Sequence, residues 1–449
     1  MVVGTIIGAS IFVQPSQVTG QVPSAAGAAI VWTLAGVLTL LGALVTAELA
    51  SAFPDTGGVY VYLRRAFGPL AGFLWGWAMF WTMHTGIIAA IAMVMASYFD
   101  FFWDLGARGQ RVVAIGGVLA LSWINYLGVQ HGTRLQTAIT VVKVGAVVVI
   151  VGVGYALAPS AAELVGAATG AGGGAVIGPD GTPAAQGPAG GPGLLGGGGL
   201  SGLLSGLAAG LFAFGGWHMV TYNAGETVDP ESTIPRSLML GVLIVTACYV
   251  ALNAVYFRIL PLEDVIASER IAADAAEALL GFNAGAAITA LVVVSAFGAL
   301  AGIVLAGPRV YWAMARDGHF FAWFGELHPE HRTPHRAIVL QAAWASVLIW
   351  TGTYRQLFTR VIYTEWIFFR AMALGLLVLR RRGAEPRYRA PGGPLLPIAF
   401  AAAAFAVAAH EAVANPTNSV QGLGLVAVGA PVFYLWSRLR PSPSPGATP

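Results

Sequence analysis

The stretch Gly4-Thr5-Ile6-Ile7-Gly8-Ala9-Ser10-Ile11-Phe12 is apolar enough for a membrane helix, yet glycines and small residues interrupt it. A second apolar segment, Leu211-Phe212-Ala213-Phe214-Gly215-Gly216-Trp217, breaks in the same manner near the middle of the chain. In hydrocarbon, unwound backbone is tolerated only where it lines a cavity or is buried in protein. Two glycine-interrupted apolar segments at corresponding positions of two halves mark the midplane ligand site of a secondary transporter.

The composition sets the solvent. Of 449 residues, 57% are hydrophobic and 10% charged, with a mean hydropathy of +0.74. A soluble domain carries roughly 25% charged residues, so the chain reads as a polytopic all-α membrane protein embedded in a lipid bilayer. The formal net charge of +3 says little about partners, because topology distributes the basic residues, and nothing suggests nucleic acid. The one cysteine, Cys248, lies in an apolar run, which excludes an intramolecular disulfide and a paired-cysteine metal site. Neither a metal nor a cofactor is expected.

Crossing roughly 30 Å of hydrocarbon takes about 20 apolar residues, and about twelve such runs are legible. The broken first segment is followed by 26–52, 69–98, 112–128 and 137–157. A broken sixth segment covers 200–222, followed by 237–260, 286–313, 337–351, 361–379, 395–409 and 420–436. Residues 159–200 form an extracytoplasmic loop, and its Gly-, Ala- and Pro-rich part, 166–199, has the composition of a flexible linker. The chain enters an apolar helix at residue 1, so the first span reads as truncated at its amino-terminal side. Arg64 and Arg65, Arg134, Arg309 and Arg316, Arg380 to Arg382, and Arg438 all fall on one side of this topology. Asp100, Asp104, Glu263, Asp264 and Glu269 fall on the other. The arginine bias agrees with both termini in the cytoplasm, and a plasma-membrane location is expected.

Each half of a broken helix exposes N–H groups with partial positive charge at its start and carbonyls with partial negative charge at its end. A zwitterion bearing ammonium and carboxylate on one carbon fits between such ends without a charged side chain. In the first span the Ile6 carbonyl closes the inner half, and the N–H groups of Gly8, Ala9 and Ser10 open the outer half toward a carboxylate. In the sixth, the carbonyls of Phe212, Ala213 and Gly215 face an ammonium. The competing reading is that Gly4, Gly8, Gly215 and Gly216 only permit close helix packing. Paired breaks favour the site.

These residues carry a resemblance. GTIIGASIF (4–12) resembles the GxIIGSGIF of the amino acid–polyamine–organocation superfamily, L-type amino acid transporter branch, close to bacterial serine/threonine exchangers. FAFGGWHMVTYNAGETVDPESTIPRS (212–237) resembles that family's sixth-span block, and AELASAFPDTGGVYVYLRRAFG (47–68) its segment after span two. AGPRVYWAMARDGHFF (306–321) and TEWIFFRAMALGLLVLRRR (364–382) match further blocks. The resemblance implies one permease domain over 1–449, with two inverted five-helix repeats plus two C-terminal helices and alternating access. It places the backbone of Ile6, Gly8, Ala9 and Ser10 and of Phe212, Ala213 and Gly215 on the substrate's charged ends, with Phe214 and Trp217 lining or gating the pocket. Ala9-Ser10 stands where the family has Ser-Gly. Family members that pair with a glycoprotein heavy chain use a cysteine between spans three and four. Residues 100–110 contain none, so no disulfide-linked heavy chain is expected.

Lys143 lies inside the apolar fifth span, where a lysine costs roughly 2.5–3.5 kcal/mol and marks function by default. By resemblance its ammonium stands in for a sodium ion, bridging the carbonyls of the unwound first span toward span eight near Ser295. The alternative is a lysine that snorkels to the interface. His84 reads as a packed histidine, whereas His218, at the sixth-span break, is a candidate for substrate contact. Glu226 reads as a gate or structural ion pair, and Tyr249 and Asn253, one turn apart, as pocket-facing or structural. Arg370 within span ten has no account at this level. Enzymatic readings fail: His328, His331 and His335 are separated by Pro329 and Pro334, which prevent one helix from presenting them to a metal.

The sequence therefore reads as a permease for small or mid-sized neutral amino acids, since no anionic side chain is evident in the pocket, and as a sodium-independent exchanger, since a fixed ammonium at Lys143 replaces the ion. The alternatives are a proton-coupled amino acid or polyamine transporter, or a transport-inactive sensor or assembly subunit.

Overall fold

The computed structural model describes residues 2–8, 10–157, 199–352 and 354–439. Ala9 and all but the end of the predicted loop 159–200 lie outside the described residues.

Among the described residues all regular structure is helical. The first span is split into Val2–Ile6, a 3-10 turn Ser10–Phe12, and Gln14–Gln21. Ala25–Ala52 follows, its start capped by the Ser24 hydroxyl, which accepts from the Gly27 N–H at 2.9 Å. The third span, Pro69–Asp100, carries one π turn at Met79–Met83, where the Thr85 hydroxyl reaches back to the Phe80 carbonyl. Gly106–Tyr126 and Val129–Leu157 complete the first five. The sixth is Gly199–Ala213 plus a 3-10 segment, Trp217–Glu226, followed by Pro230–Ile259, Phe282–Arg316, His335–Thr351 and Tyr354–Arg381. Leu395–Ala414 and Pro416–Leu439 end the set. Nine of these helices are long and apolar enough to cross a membrane. The split first span, Gly106–Tyr126 and the 17-residue His335–Thr351 bring the helical segments to the twelve read from sequence.

Several helices overrun the sequence-based edges. The tenth begins at Tyr354 rather than 361 and the seventh at Pro230 rather than 237. Hydropathy stops at the first polar turn, whereas backbone hydrogen bonding continues through it.

The packing repeats itself with a period of five spans. The first half-helix Val2–Ile6 packs on the seventh span, and correspondingly the sixth packs on the second. Span five lies against eight as ten lies against three, and span four against eight as nine lies against three. Spans two and seven, three and eight, and four and nine touch their own counterparts. Because five is odd, each counterpart crosses in the opposite direction, which makes the repeats inverted.

The arginines gather on one face. Arg64 bonds Asp317 at 2.5 Å, Arg382 donates to the Arg65 carbonyl, and Arg387 meets Asp229 at 3.1 Å. Glu48, 1% exposed at the end of the second span, accepts from Arg380 through both oxygens and from the Ala390 N–H. Removing one partner of a buried ion pair costs about 3 kcal/mol or more, because the other charge stays buried and alone. Glu48→Ala should therefore lower the thermal midpoint of the purified protein in detergent by several degrees. An unchanged midpoint would mean that this clamp between spans two and ten is dispensable. Arg370 also finds its place: its guanidinium lies 4.4 Å from the ring centre of Phe405 on the eleventh span, a cation–π contact on the outer surface.

Candidate functional site

The two breaks meet in the middle of the molecule. In the first span the Gly8 N–H donates to the Ile6 carbonyl at 2.7 Å, and the Ile7 N–H to Val3 at 2.9 Å, so the helix ends in a tight three-residue turn. Gly8's donor is thus engaged within the chain. Ser10 opens the outer half as the first residue of a 3-10 turn, and such a position has no intrahelical partner for its N–H. In the sixth span the Gly215 N–H folds back onto the Phe212 carbonyl at 2.9 Å. Gly216 then reverses the chain at φ +91°, a left-handed conformation that glycine adopts without cost. A Cβ at Gly216 would stand 3.2 Å from the Thr5 carbonyl oxygen, so the breaks also approach each other closely.

Six of the predicted residues, Ile6, Gly8, Ser10, Phe212, Ala213 and Gly215, line one cavity. Its remaining wall is Thr5, Leu211, Ile87 and Ile91 of the third span, Ile303 of the eighth, and Glu365 of the tenth. The cavity measures ≈ 20 Å³, room for about one water. This is a closed conformation, and an amino acid enters only when the spans part.

Lys143 reaches this region from the side. Its ammonium, 2% exposed, donates to the carbonyls of Ile7 at 2.9 Å and Gly4 at 3.3 Å. A cation at the carbonyl end of a half-helix is electrostatically favourable. One turn earlier, Ile139 packs against Gly298 of the eighth span, and Thr140 fills the space where Gly4 lacks a side chain. Ser295, 2% exposed on the eighth span, has a hydroxyl without a hydrogen-bond partner among the described residues, so Lys143 is not bonded to it.

Tyr249 ties the breaks together. Its hydroxyl lies 2.9 Å from the Ile6 carbonyl and 3.0 Å from that of Ala213, and its single proton serves both. The Ala213 carbonyl assigned to an ammonium is therefore held by a phenol in this conformation. Asn253 instead bonds the Tyr249 carbonyl of its own helix at 2.8 Å. Phe214 packs between Trp32 and Tyr249, and Trp217 on Phe369 and His218, so neither ring lines the closed cavity. His218 does not line it either. It lies behind Glu365, its Nε2 3.7 Å from that carboxyl, enclosed by Trp75, Tyr222 and Phe369.

Glu365 is the residue that sequence reading passed over, and it contradicts the expectation of a pocket without an acidic side chain. It stands four residues into a span whose start hydropathy sets at 361. The helix begins at Tyr354, which carries Glu365 inside, 5% exposed.

Glu226 closes the other end of the sixth span. Its carboxylate holds Arg309 through two contacts, 3.0 and 3.3 Å, at the edge of a vestibule of ≈ 810 Å³ on the arginine-rich face. Arg309 also donates to the Leu305 carbonyl. His328, His331 and His335 stack around Tyr126, with rings as close as 4.6 Å, away from the breaks.

Comparison with known proteins decides the identity of this arrangement. The profile of the family described as "Amino acid permease" matches residues 1–434. The chain belongs to the amino acid permease family. The permease is 30% identical over 439 residues to the serine/threonine exchanger of Bacillus subtilis (strain 168), covering 97% of this chain and 94% of that one. It is 26% identical to the cystine/glutamate transporter of Homo sapiens, over 97% of this chain and 83% of that protein. The b(0,+)-type amino acid transporter 1 of Homo sapiens is 27% identical over 85% of the permease and 74% of its own length. The permease is thus a multi-pass membrane transporter of amino acids and not an enzyme.

Proposed function

We propose that the permease exchanges small neutral amino acids across the plasma membrane without sodium, with both termini in the cytoplasm. The observation that carries this reading is the Lys143 ammonium on the carbonyls of Gly4 and Ile7. A fixed positive charge there occupies the place a bound cation would need, so transport proceeds without sodium. The Ser10 N–H and the neighbouring turn receive the substrate carboxylate, and the carbonyls around Ala213 and Gly215 receive its ammonium when the Tyr249 hydroxyl swings away. Glu226 and Arg309 form the gate toward the cytoplasmic vestibule. We assign no disulfide-linked partner.

The buried Glu365–His218 pair favours a second reading, coupling to protons, because both groups bind and release them. Uptake of labelled amino acid into vesicles reconstituted with the full chain separates the readings. Exchange predicts that internal unlabelled amino acid stimulates uptake several-fold, with no response to a sodium or proton gradient. Stimulation by a proton gradient alone would replace exchange with coupling. No uptake under any condition would turn the assignment toward a sensor or assembly subunit.

A further inference from the structure

Among the described residues, Glu365 is the one ionisable side chain on the wall of the cavity between the breaks. The wall around it offers little to bond. Ile87, Ile91 and Ile303 are apolar, and the Thr5 hydroxyl already donates to the Val2 carbonyl at 2.9 Å. On the far side stands His218, 1% exposed, with both ring nitrogens lacking a hydrogen-bond partner among the described residues. At 3.7 Å it lies against the carboxyl without forming a hydrogen bond. A carboxyl group has more acceptor sites than this setting fills, and an acceptor left unmet in a buried site is costly.

The breaks supply backbone groups for an amino acid's ammonium and carboxylate, but backbone cannot distinguish one side chain from another. The wall that remains for the side chain is mostly apolar, with Leu211, Ile87, Ile91 and Ile303, and Glu365 is its one ionisable group among the described residues.

Resting on the permease reading above, we propose that Glu365 determines specificity: it accepts a hydrogen bond from a side-chain hydroxyl of the substrate, so that serine and threonine are taken in preference to alanine and valine, which lack the hydroxyl. His218 is a positioning residue behind it. A hydrogen bond to a charged or strongly polar acceptor in a dry site gives about ten- to a hundredfold discrimination against the analogue lacking the hydroxyl.

The test is competitive uptake in vesicles holding the full chain, comparing serine with alanine and threonine with valine. The unaltered chain prefers the hydroxylated member of each pair by about tenfold or more. Glu365→Leu, of similar volume but with no acceptor, brings both ratios to near one. Glu365→Gln, which keeps an acceptor oxygen, retains the preference. If Glu365→Leu transports nothing, the thermal stabilisation of the purified variant by serine and by alanine reads the same ratio. Preference for serine undiminished in Glu365→Leu, or equal uptake of serine and alanine by the unaltered chain, overturns the proposal and leaves the exchange reading standing. A chain that moves no amino acid at all overturns the exchange reading itself.

Discussion

Lys143→Ala abolishes uptake, lowering it by about a hundredfold or more, while the protein is still inserted and monodisperse. The magnitude follows from what the ammonium holds. The carbonyls of Gly4 and Ile7 lie at the end of a half-helix where, among the described residues, no backbone donor reaches them. Each buried acceptor left unpaired costs about 1–3 kcal/mol, and about 3 kcal/mol in total is more than a hundredfold. That loss falls on the turn that shapes the cavity, so it appears as lost transport before lost folding. Lys143→Arg does not rescue, since a planar guanidinium cannot sit as a point charge between two carbonyls. The measurement is initial uptake normalised to reconstituted protein. Uptake by Lys143→Ala within about threefold of the unaltered chain would assign the lysine a packing role only.

Gly216→Ala has the second largest effect, a loss of uptake of about tenfold or more together with a lower thermal midpoint. Two costs add. A left-handed backbone costs a residue with a Cβ roughly 1–2 kcal/mol, and the new methyl would press on the Thr5 carbonyl at 3.2 Å. Thr5 lines the cavity, so the pressure deforms the site directly. Gly8→Ala is the control. There the added methyl meets Ala299 at 3.5 Å, an ordinary contact, so stability is retained. Equal midpoints for Gly216→Ala and the unaltered chain would show that the sixth-span break does not depend on this reversal.

These two variants also show what could be read from residues alone. The breaks were legible because glycine in an apolar run leaves a gap in an otherwise continuous helix pattern. Their separate purposes were not. Gly4 serves close packing against Thr140, Gly216 serves chain reversal, and the sequence gives both the same letter. Lys143 was legible because a cation in mid-span has few innocent explanations, whereas its partners depended on where the first helix unwinds. Tyr249 was visible only as pocket-facing or structural, since the bond between two carbonyls from distant spans is a product of tertiary packing. The resemblance puts Phe214 and Trp217 on the pocket, and His218 is put there by its place at the sixth-span break. Helical rotation points them instead into an aromatic cluster behind it. Glu365 had no role assigned because hydropathy set the start of span ten at 361, and edges are where such reading is weakest; Arg370 was singled out, but its contact with the eleventh span is a product of tertiary packing. Arg370 turned out to face outward over Phe405, and Glu365 inward.

The inverted repeat explains why the breaks face each other. If span six is the counterpart of span one crossing in the opposite direction, the carbonyl end of one half-helix lies opposite the N–H end of the other. The two ends of a zwitterion then find opposite partial charges across a short gap. A bilayer makes this arrangement stable only when protein or ligand covers the exposed peptide groups. Lys143, Tyr249 and the Gly8 turn provide that cover in the closed conformation.

A structure of the full chain by single-particle imaging with a transported amino acid bound tests this most directly. The account predicts the zwitterion between Gly8–Ser10 and Ala213–Gly215, its carboxylate toward the Ser10 N–H, with the Tyr249 hydroxyl withdrawn from Ala213. A substrate held instead in the vestibule beside Glu226 and Arg309, with the gap between the breaks still closed, would contradict it.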